Sequence, residues 1–221
     1  MPEPEPIPVL DALHSTPARR YLKPDPIAAE VIHALLDAAI CGPSGGNTQA
    51  WAWMVVTDPE LKRPIAEWYR EGWERAYGSR REAILAAEDG PISGGGGLGK
   101  RNFLSAEHLA NHLEEAPVWI IPILRGAAQS RSPRAGSSIY GAVQQLMLAA
   151  RAYGIGATLT SLYAGHEDDV KRLLGIPEED LTMALIPLGY PAQGRWAQPK
   201  RRPVEEVAHL NGWGNAFGAG S

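Results

Sequence analysis

Three contrasting segments follow one another near the start of this chain and strongly limit how it can fold. Residues 26–40 place Val31 and Leu35 with other apolar residues on one face of a predicted helix. Residues 42–47 form a glycine-rich loop, whose backbone can adopt unusual dihedral angles and approach a ligand closely. Residues 51–56, with two tryptophans, read as a buried strand. The pattern predicts a helix packed on a sheet, joined to it by an exposed polar loop.

The rest of the chain continues this alternation. Asp58 and Pro59 supply an N-cap and a first-turn proline for a helix that runs beyond Trp68. Further helices are predicted over 103–113, 137–153 and 167–174, and further strands over 118–124, 157–162 and 183–189. Pro122 inside the second strand indicates an edge or a bulge. Interleaved helices and strands predict an α+β or α/β sandwich, with helices covering a central sheet.

Composition excludes several classes of protein. The chain has 221 residues, of which 44% are hydrophobic, and this is enough to bury one full core. A net charge of −4 argues against a nucleic-acid or membrane-surface protein. No apolar run approaches the roughly 20 residues of a membrane helix. The single cysteine, Cys41, permits no internal disulfide and fits a reducing cytoplasm.

The patterning divides the chain into three parts. Residues 1–14, acidic and proline-rich, predict a flexible extended leader. Residues 15–190 predict the folded domain, interrupted by a glycine-rich excursion over 72–100 that is a candidate substrate lid. Aromatic residues near its start fit a substrate wall and ordinary helix packing equally well; they are Trp68, Tyr69, Trp73 and Tyr77. Residues 191–221 predict an extended C-terminal arm.

Two glycine-rich segments match known functional motifs, but the residues around them do not fit those functions. Residues 42–46 match the G-x-S-x-G elbow of hydrolases, but a helix precedes Ser44 and a strand follows it, the reverse of what that elbow requires. Residues 94–100 match a phosphate-binding loop, but Arg101 stands where a magnesium-binding Ser or Thr is needed. We interpret the second motif as a flexible loop, and a magnesium-dependent nucleotidase remains a third-ranked alternative.

Potential metal and thiol chemistry is also set aside. His108 and His112 share a helix face, but the segment lacks the glutamate that would activate water and a clear third ligand. A partly exposed helix face is the favoured interpretation, and no metal site is predicted. Cys41 closes an apolar helix and is expected to be a small core residue rather than a reactive thiol.

Basic and polar groups flank the first predicted helix. Arg19 and Arg20 precede it, and guanidinium groups bind phosphate through paired hydrogen bonds. Residues 43–49 follow it and offer loop amides with an asparagine and a glutamine side chain. Together these groups suit a flat, phosphorylated heteroaromatic ligand. A salt-bridged surface and an ordinary turn would have the same sequence.

Several blocks, in order over about residues 15–210, resemble the nitroreductase family. Residues 20–27 and 39–51 resemble its opening segments, and residues 144–156 resemble its central dimer helix and the following turn. Residues 173–177, 184–191 and 199–207 resemble its later helix, strand and C-terminal arm. No single block decides the match, and the shared order of the blocks carries it.

The resemblance implies a fold and an activity. The fold is an α+β three-layer sandwich with a central, mostly antiparallel sheet, in an intertwined homodimer. The cofactor is FMN, bound between the two subunits, with NADH or NADPH as hydride donor. The enzyme is a flavin-dependent oxidoreductase that reduces nitroaromatics, quinones or related small molecules by ping-pong turnover, in the cytoplasm. No catalytic side chain is needed, because the chemistry occurs at the flavin N5.

The resemblance also assigns flavin contacts. Arg20 is expected at the ribityl and pyrimidine side, where its charge and the loop amides would stabilise the reduced flavin. The loop is expected to contact the flavin through Pro43, Ser44, Gly45, Asn47 and Gln49. Gly154 and Gly156 mark the turn whose backbone approaches the ring system.

Phosphate binding departs from the family pattern. The family carries an Arg-Arg-Ser triplet where this chain has residues 16–18, Thr-Pro-Ala. Arg201, helped by Lys200, is expected to bind the phosphate, and Arg19 is a further candidate. Ala50 replaces a common proline, with little expected effect.

Two alternatives rank ahead of the nucleotidase and stay open at this point. One is an enzyme of the same fold with another flavin reaction, such as a dehalogenase, a small-metabolite dehydrogenase or oxidase, or a flavin-fragmenting enzyme. The other is a non-catalytic flavin-binding protein, which the absence of the two arginines of the family triplet and the long excursion leave open.

Overall fold

The computed structural model describes residues 3–87, 99–130, 132 and 134–218. The helices are α1 (Val9–His14), α2 (Ala29–Ile40), α3 (Pro59–Tyr77), α4 (Arg81–Ala86), α5 (Lys100–His112), α6 (Ser137–Ala152) and α7 (Glu167–Leu174). The strands are β1 (Trp51–Val56), β2 (Val118–Leu124), β3 (Gly156–Ala157), β4 (Leu181–Thr182) and β5 (Ile186–Gly189).

One antiparallel sheet forms the middle layer. Its order is β1-β2-β5-β3, and β4 also pairs with β2. Successive side chains of β2 enter opposite cores, because side chains alternate across a strand. Val118 and Ile120 pack with α2 and α6, whereas Trp119 and Ile121 pack with α3, α5 and α7. The predicted α+β sandwich with a helix-flanked antiparallel sheet is confirmed.

The strands are shorter and more interrupted than predicted. β2 lies between β1 and β5, so Pro122 is not on an edge. The Pro122 carbonyl accepts a 2.8 Å hydrogen bond from the Met183 amide, in the gap between β4 and β5. A proline fits there because the neighbouring segment between β4 and β5 does not form regular strand pairing with β2. The prediction of a strand over 157–162 is wrong beyond Ala157, since only Thr160 bridges further, to Leu185.

Helix boundaries agree in part with the sequence prediction. Asp58 caps α3 by accepting a 2.9 Å hydrogen bond from the Glu60 amide, and Pro59 begins the helix, as predicted. α2 begins at Ala29 rather than Pro26. Ile27 lies before the helix and still reaches the α2–α6 core, which explains its place in the apolar pattern.

The excursion begins later than predicted. α3 continues to Tyr77, so residues 72–77 are helical. Tyr69 and Trp73 are each 2% exposed, and the Trp73 ring lies 5.2 Å from the Phe103 ring. For these two aromatic residues the helix-packing interpretation therefore holds. Residues 88–98, which include most of the 94–100 motif and the centre of the candidate lid, lie outside the described residues.

The leader contacts α6, and the first residue of the arm pairs with the segment before α2. Residues 9–14 form α1 rather than extended chain, and the Glu5 amide donates a 2.8 Å hydrogen bond to the Ala152 carbonyl. This contact joins the leader to the last turn of α6. Pro191, the first residue of the arm, forms an antiparallel β-bridge with Leu22. Further along the arm, a short 3-10 helix spans Val204–Glu206. The division of the chain at residues 14 and 190 remains a prediction.

Candidate functional site

The loop at residues 43–49 is exposed and held in a strained conformation. Asn47 and Gln49 have φ angles of 53° and 49°, a region that costs non-glycine residues about 1 kcal/mol or more. The Gly45 amide donates a 3.0 Å hydrogen bond to the Ser138 hydroxyl, which anchors the loop to the first turn of α6. Pro43, like these residues, lies on the surface. The loop therefore presents polar groups to solvent from a fixed backbone.

Ser44 has a structural contact within this loop. Its hydroxyl accepts a 3.1 Å hydrogen bond from the Gln49 amide. α2 precedes the serine and β1 follows it. The rejection of a hydrolase elbow is confirmed, because that elbow needs the opposite order.

Arg20 lies on the α3 side of the sheet. Burial lowers the pKa of its guanidinium, and the neighbouring Tyr69 opposes this shift. The Tyr69 hydroxyl is 2.9 Å from the Thr160 hydroxyl, so the two side chains form one polar cluster beside Arg20. Across the described ranges, no carboxylate forms an ion pair with Arg20. Its charge is thus available to a ligand.

Arg19 points to the other side of the sheet. Its backbone amide donates a 2.8 Å hydrogen bond to the Ala157 carbonyl, and its side chain is 8% exposed. Its guanidinium lies 4.4 Å from the centre of the Trp196 ring. Arg151, in the last turn of α6, is also 4.4 Å from that ring. The structure therefore separates the Arg19 guanidinium from that of Arg20.

The two predicted glycines lie just beyond α6. Gly154, with a φ of 69°, ends the helix in the left-handed region that favours glycine. A Cβ at Gly156 would lie 2.7 Å from the Cβ of Arg19. Only glycine at this position lets the Arg19 segment pair with β3.

Lys200 and Arg201 lie exposed on the C-terminal arm. The Arg201 guanidinium donates a 3.0 Å hydrogen bond to the Lys200 carbonyl. Neither residue is brought against the loop or Arg20 by any contact between described residues. Their predicted role at a phosphate stays a prediction.

α6 separates the predicted site residues into two groups. The loop at 43–49 is anchored at Ser138, near the start of the helix. The Arg19–Arg20 segment, Gly154 and Gly156 lie beyond its end. A helix of 16 residues is roughly 24 Å long. The two groups therefore lie toward opposite ends of α6.

Several functional neighbours were not predicted. Tyr69 was noted only as an aromatic residue, Thr160 was placed in a strand, and Arg151 was part of an apolar helix. A single arginine among apolar helix positions was the one available signal for Arg151. Long-range partners such as Tyr69 and Thr160, 91 positions apart, leave no local signal.

The remaining candidate chemistry is structural. Cys41 was expected in the core but is exposed, because it caps α2, and its thiol lies 3.4 Å from the Asp37 carbonyl. The His108 ring stacks on Tyr21 at 4.1 Å and on His112 at 4.4 Å, on the partly exposed face predicted. Among described residues, no cluster of three or more His, Cys, Asp or Glu could hold a metal ion. In the same ranges, no helix has the length and apolar character needed to cross a bilayer.

Comparison with known proteins places the fold in a family. The chain is 28% identical to an NADH dehydrogenase of Thermus thermophilus, over 91% of this chain and 96% of that protein. It is 26% identical to iodotyrosine deiodinase 1 of Rattus norvegicus, over 85% of this chain and 64% of the deiodinase.

A solved structure agrees with these relatives on the fold. The FMN-dependent nitroreductase of Mycobacterium smegmatis in complex with NADPH superposes with a TM-score of 0.66 at 21% identity, covering 91% of this chain and 96% of that one. The nitroreductase family model matches residues 14–190. The chain therefore belongs to the nitroreductase family and is a flavin-dependent oxidoreductase.

Proposed function

We propose that this protein binds FMN and uses NADH or NADPH to reduce nitroaromatic, quinone or related small organic acceptors by ping-pong turnover. The relatives named as an NADH dehydrogenase and as an FMN-dependent nitroreductase bound to NADPH support this proposal. We further propose that it acts as a homodimer in the cytoplasm, where its single cysteine, Cys41, needs no oxidising environment.

The exposed loop at residues 43–49 is the observation that carries the proposal. A chain accepts strain at two non-glycine positions only where the surrounding structure fixes them, and such positions cluster at ligand sites. Here Asn47 and Gln49 are the strained residues, and both are exposed. Their side-chain amides can donate to and accept from the polar edge of a flavin.

The polar and charged groups of the described residues fit the cofactor. A reduced flavin gains negative charge on its pyrimidine side, and Arg20 is a cation without an acidic partner in the described ranges. Gly154 has a positive φ, and we propose that the backbone at this glycine approaches the ring system. Because α6 separates these groups from the loop, we propose that the loop of one subunit and Arg20 of the other share one flavin.

FMN, when bound, supplies the acceptor and donor of hydride at N5, so the protein's task is binding and electrostatics. Arg20 would stabilise the anionic form of the flavin from a fixed position. Burial raises the pKa of the Tyr69 phenol, so this hydroxyl stays neutral beside Arg20 and holds Thr160. No general base is needed for this reaction.

The phosphate is proposed to meet the C-terminal arm. Thr16-Pro17-Ala18 carry no cation, whereas Lys200 and Arg201 are exposed cations on the arm. Both have the reach of long side chains and form no described ion pair. We propose that the arm closes on the phosphate when the dimer and flavin assemble.

The direct test measures flavin content and reduction. Purified protein is expected to be yellow, to release FMN on denaturation, and to bleach anaerobically with NADH or NADPH. Parallel lines in double-reciprocal plots with a nitroaromatic and a quinone would support ping-pong turnover. Colourless protein that does not take up added FMN would contradict the proposal.

Variants of Arg20 test the site residue itself. R20Q is expected to weaken FMN binding and to lower the flavin reduction potential, because a cation near the reduced ring is lost. An ionic hydrogen bond contributes about 1.5–3 kcal/mol, which corresponds to roughly a tenfold to hundredfold loss of affinity. R63Q is the matched control, since Arg63 is exposed and pairs with Glu60 at 2.7 Å. Equal flavin affinity in R20Q and R63Q would remove Arg20 from the site.

A reductive dehalogenase is the second candidate. The rat iodotyrosine deiodinase, 26% identical over 85% of this chain, supports this alternative. Iodide release from 3-iodo-L-tyrosine by the reduced protein, faster than nitroaromatic or quinone reduction, would select it. Flavin that is reduced but transfers electrons to none of these acceptors would indicate a non-catalytic flavin-binding protein.

A further inference from the structure

Two buried arginines lie together on the α6 side of the sheet, away from Arg20. Arg19 is 8% exposed and Arg151 is 9% exposed. Both guanidiniums lie against the same indole, that of Trp196, at 4.4 Å. Burial lowers the pKa of the Arg19 guanidinium, and the nearby charge of Arg151 lowers it further. These residues form a compact cationic cluster, which we call the arginine pair.

The arginine pair is poorly satisfied by the protein. The buried Nε of Arg19 and the buried Nε and Nη1 of Arg151 have no hydrogen-bond partner in the described ranges. The Arg19 Nη1 reaches only the Gln193 carbonyl, at 3.4 Å. The negative end of the α6 dipole offsets part of the Arg151 charge but supplies no acceptor to these nitrogens.

Among the described residues, one acidic neighbour forms an ion pair with the arginine pair, and it lies at the rim. The Glu5 carboxylate is 3.7 Å from the Arg151 Nη1, beyond hydrogen-bond distance, and this carboxylate side chain is 70% exposed. The long distance and the exposed carboxylate make this ion pair weak. The leader brings the carboxylate there through the hydrogen bond from the Glu5 amide to Ala152. Two buried charges thus face one weak, displaceable anion.

We propose that the arginine pair binds an oxyanion of the phosphate type, with Trp196 as one wall and Glu5 as a competing internal carboxylate. Buried charges are tolerated when they are paired, and guanidinium N–H groups match phosphate oxygens in spacing and direction. Unsatisfied buried donors in a folded protein call for a missing water or ion. A bound anion would neutralise the two neighbouring positive charges and would also accept hydrogen bonds from the unsatisfied nitrogens.

The phosphate group has two possible sources, and the site chemistry is the same for both. It could be free inorganic phosphate, or it could be the phosphate of the proposed cofactor. The Arg19 and Arg20 side chains contact different faces of the sheet, which favours a free anion, separate from the flavin. This inference stands without the proposed function, because its evidence is the arginine pair alone.

The test is a calorimetric titration with sodium phosphate against sodium chloride at equal ionic strength, on protein as purified and on protein stripped of flavin. Wild type is expected to bind phosphate at one site per chain. R19Q and R151Q are expected to bind it at least tenfold more weakly. E5Q is expected to bind it several-fold more tightly, because the internal competitor is removed.

The control is R172Q, since Arg172 is an exposed arginine that pairs with Asp169 at 2.8 Å and lies outside the cluster. It is expected to bind phosphate as wild type does. Because E5Q changes an exposed residue, it tests the proposal even if the buried arginine variants fail to fold.

The outcomes separate the sources and the two proposals. Binding to the flavin-loaded protein indicates a free anion, and binding only after flavin removal indicates the cofactor phosphate. If the protein contains no FMN, the proposed function fails and the titration still tests the arginine pair. Wild type that binds no phosphate in either form, variants that all bind equally, or E5Q with unchanged affinity would each overturn the inference.

Discussion

The two faces of the sheet treat buried cations differently. On the α3–α5–α7 face, Lys62 is 5% exposed and its Nζ donates to the carbonyls of Glu114 and Ala116 at 3.0 and 2.9 Å. Lys171, 7% exposed, donates to the carbonyls of Glu178 and Asp180 at 2.9 and 3.2 Å. On the α2–α6 face, three buried nitrogens of the arginine pair have no hydrogen-bond partner in the part of the chain that the structure describes.

This difference separates structural charges from charges available to a ligand. Each lysine ties together carbonyls at the end of a helix or turn, so its charge is satisfied within the chain. The arginine pair holds its charge against an indole, and three of its buried nitrogens have no acceptor among the described residues. Equal burial therefore does not mean an equal role, and the hydrogen-bond partners decide it.

Replacing Lys62 should give the largest loss of stability. In K62M the carbonyls of Glu114 and Ala116 lose their buried donor, and an unmet buried acceptor costs about 1–3 kcal/mol. Urea unfolding is expected to show this loss, with an unchanged dependence on urea concentration. K100M, at an exposed lysine in α5, is the control. A loss in K62M no larger than that in K100M would mean that Lys62 is not structural.

Replacing Lys171 should give a smaller loss. Its contact with Asp180 is longer, and the Asp168 carboxylate lies 3.9 Å away and is 89% exposed. We expect K171M to lose about 1 kcal/mol. Asp180 also accepts a 2.8 Å hydrogen bond from the Gly126 amide. Hydrogen exchange at Gly126 should therefore accelerate in K171M and stay unchanged in K62M, and the reverse pattern would contradict this assignment.

The sequence predicted what local patterns encode. The cap of α3 at Asp58 and the strand β1 follow from neighbouring residues, and both are confirmed. β2 was predicted with the right bounds, but its central position was not, because strand order depends on distant partners.

The candidate site was harder to predict for the same reason. Arg19 and Arg20 are adjacent in sequence and looked equivalent, yet they face opposite sides of the sheet. Their contacts with Arg151 and Tyr69 come from residues far along the chain. The split between the loop and these arginines also depends on the length of α6 in space, which motif matching does not reveal.

Replacing Arg151 should have almost no cost in the absence of phosphate, in contrast to both lysines. R151M removes a buried charge whose ion pair with the exposed Glu5 carboxylate is long, at 3.7 Å, and it keeps an apolar side chain against Trp196. Replacing buried charges by apolar side chains is often neutral or stabilising. We expect thermal unfolding in chloride buffer to change by less than about 0.5 kcal/mol. Added phosphate should stabilise wild type and leave R151M unchanged. A loss as large as that of K62M would make Arg151 a structural residue.

Replacing His108 should have the smallest effect on stability, because this side chain is charged only at low pH. Burial, and next the nearby His112, lower the pKa of His108, while Glu115 opposes this shift. A lowered folded pKa means that the unfolded chain takes up the proton first as pH falls. Stability should therefore decline as pH drops below about 6.5, the unfolded value, and level off once the folded form is protonated. H108N should remove part of this decline, as measured by urea unfolding between pH 7.5 and about 5. The decline is small because His108 is partly exposed and solvent screens its charge. A steeper decline in H108N than in wild type would contradict this prediction. It would show that the fold satisfies protonated His108, as it satisfies Lys62, and does not leave its charge uncompensated.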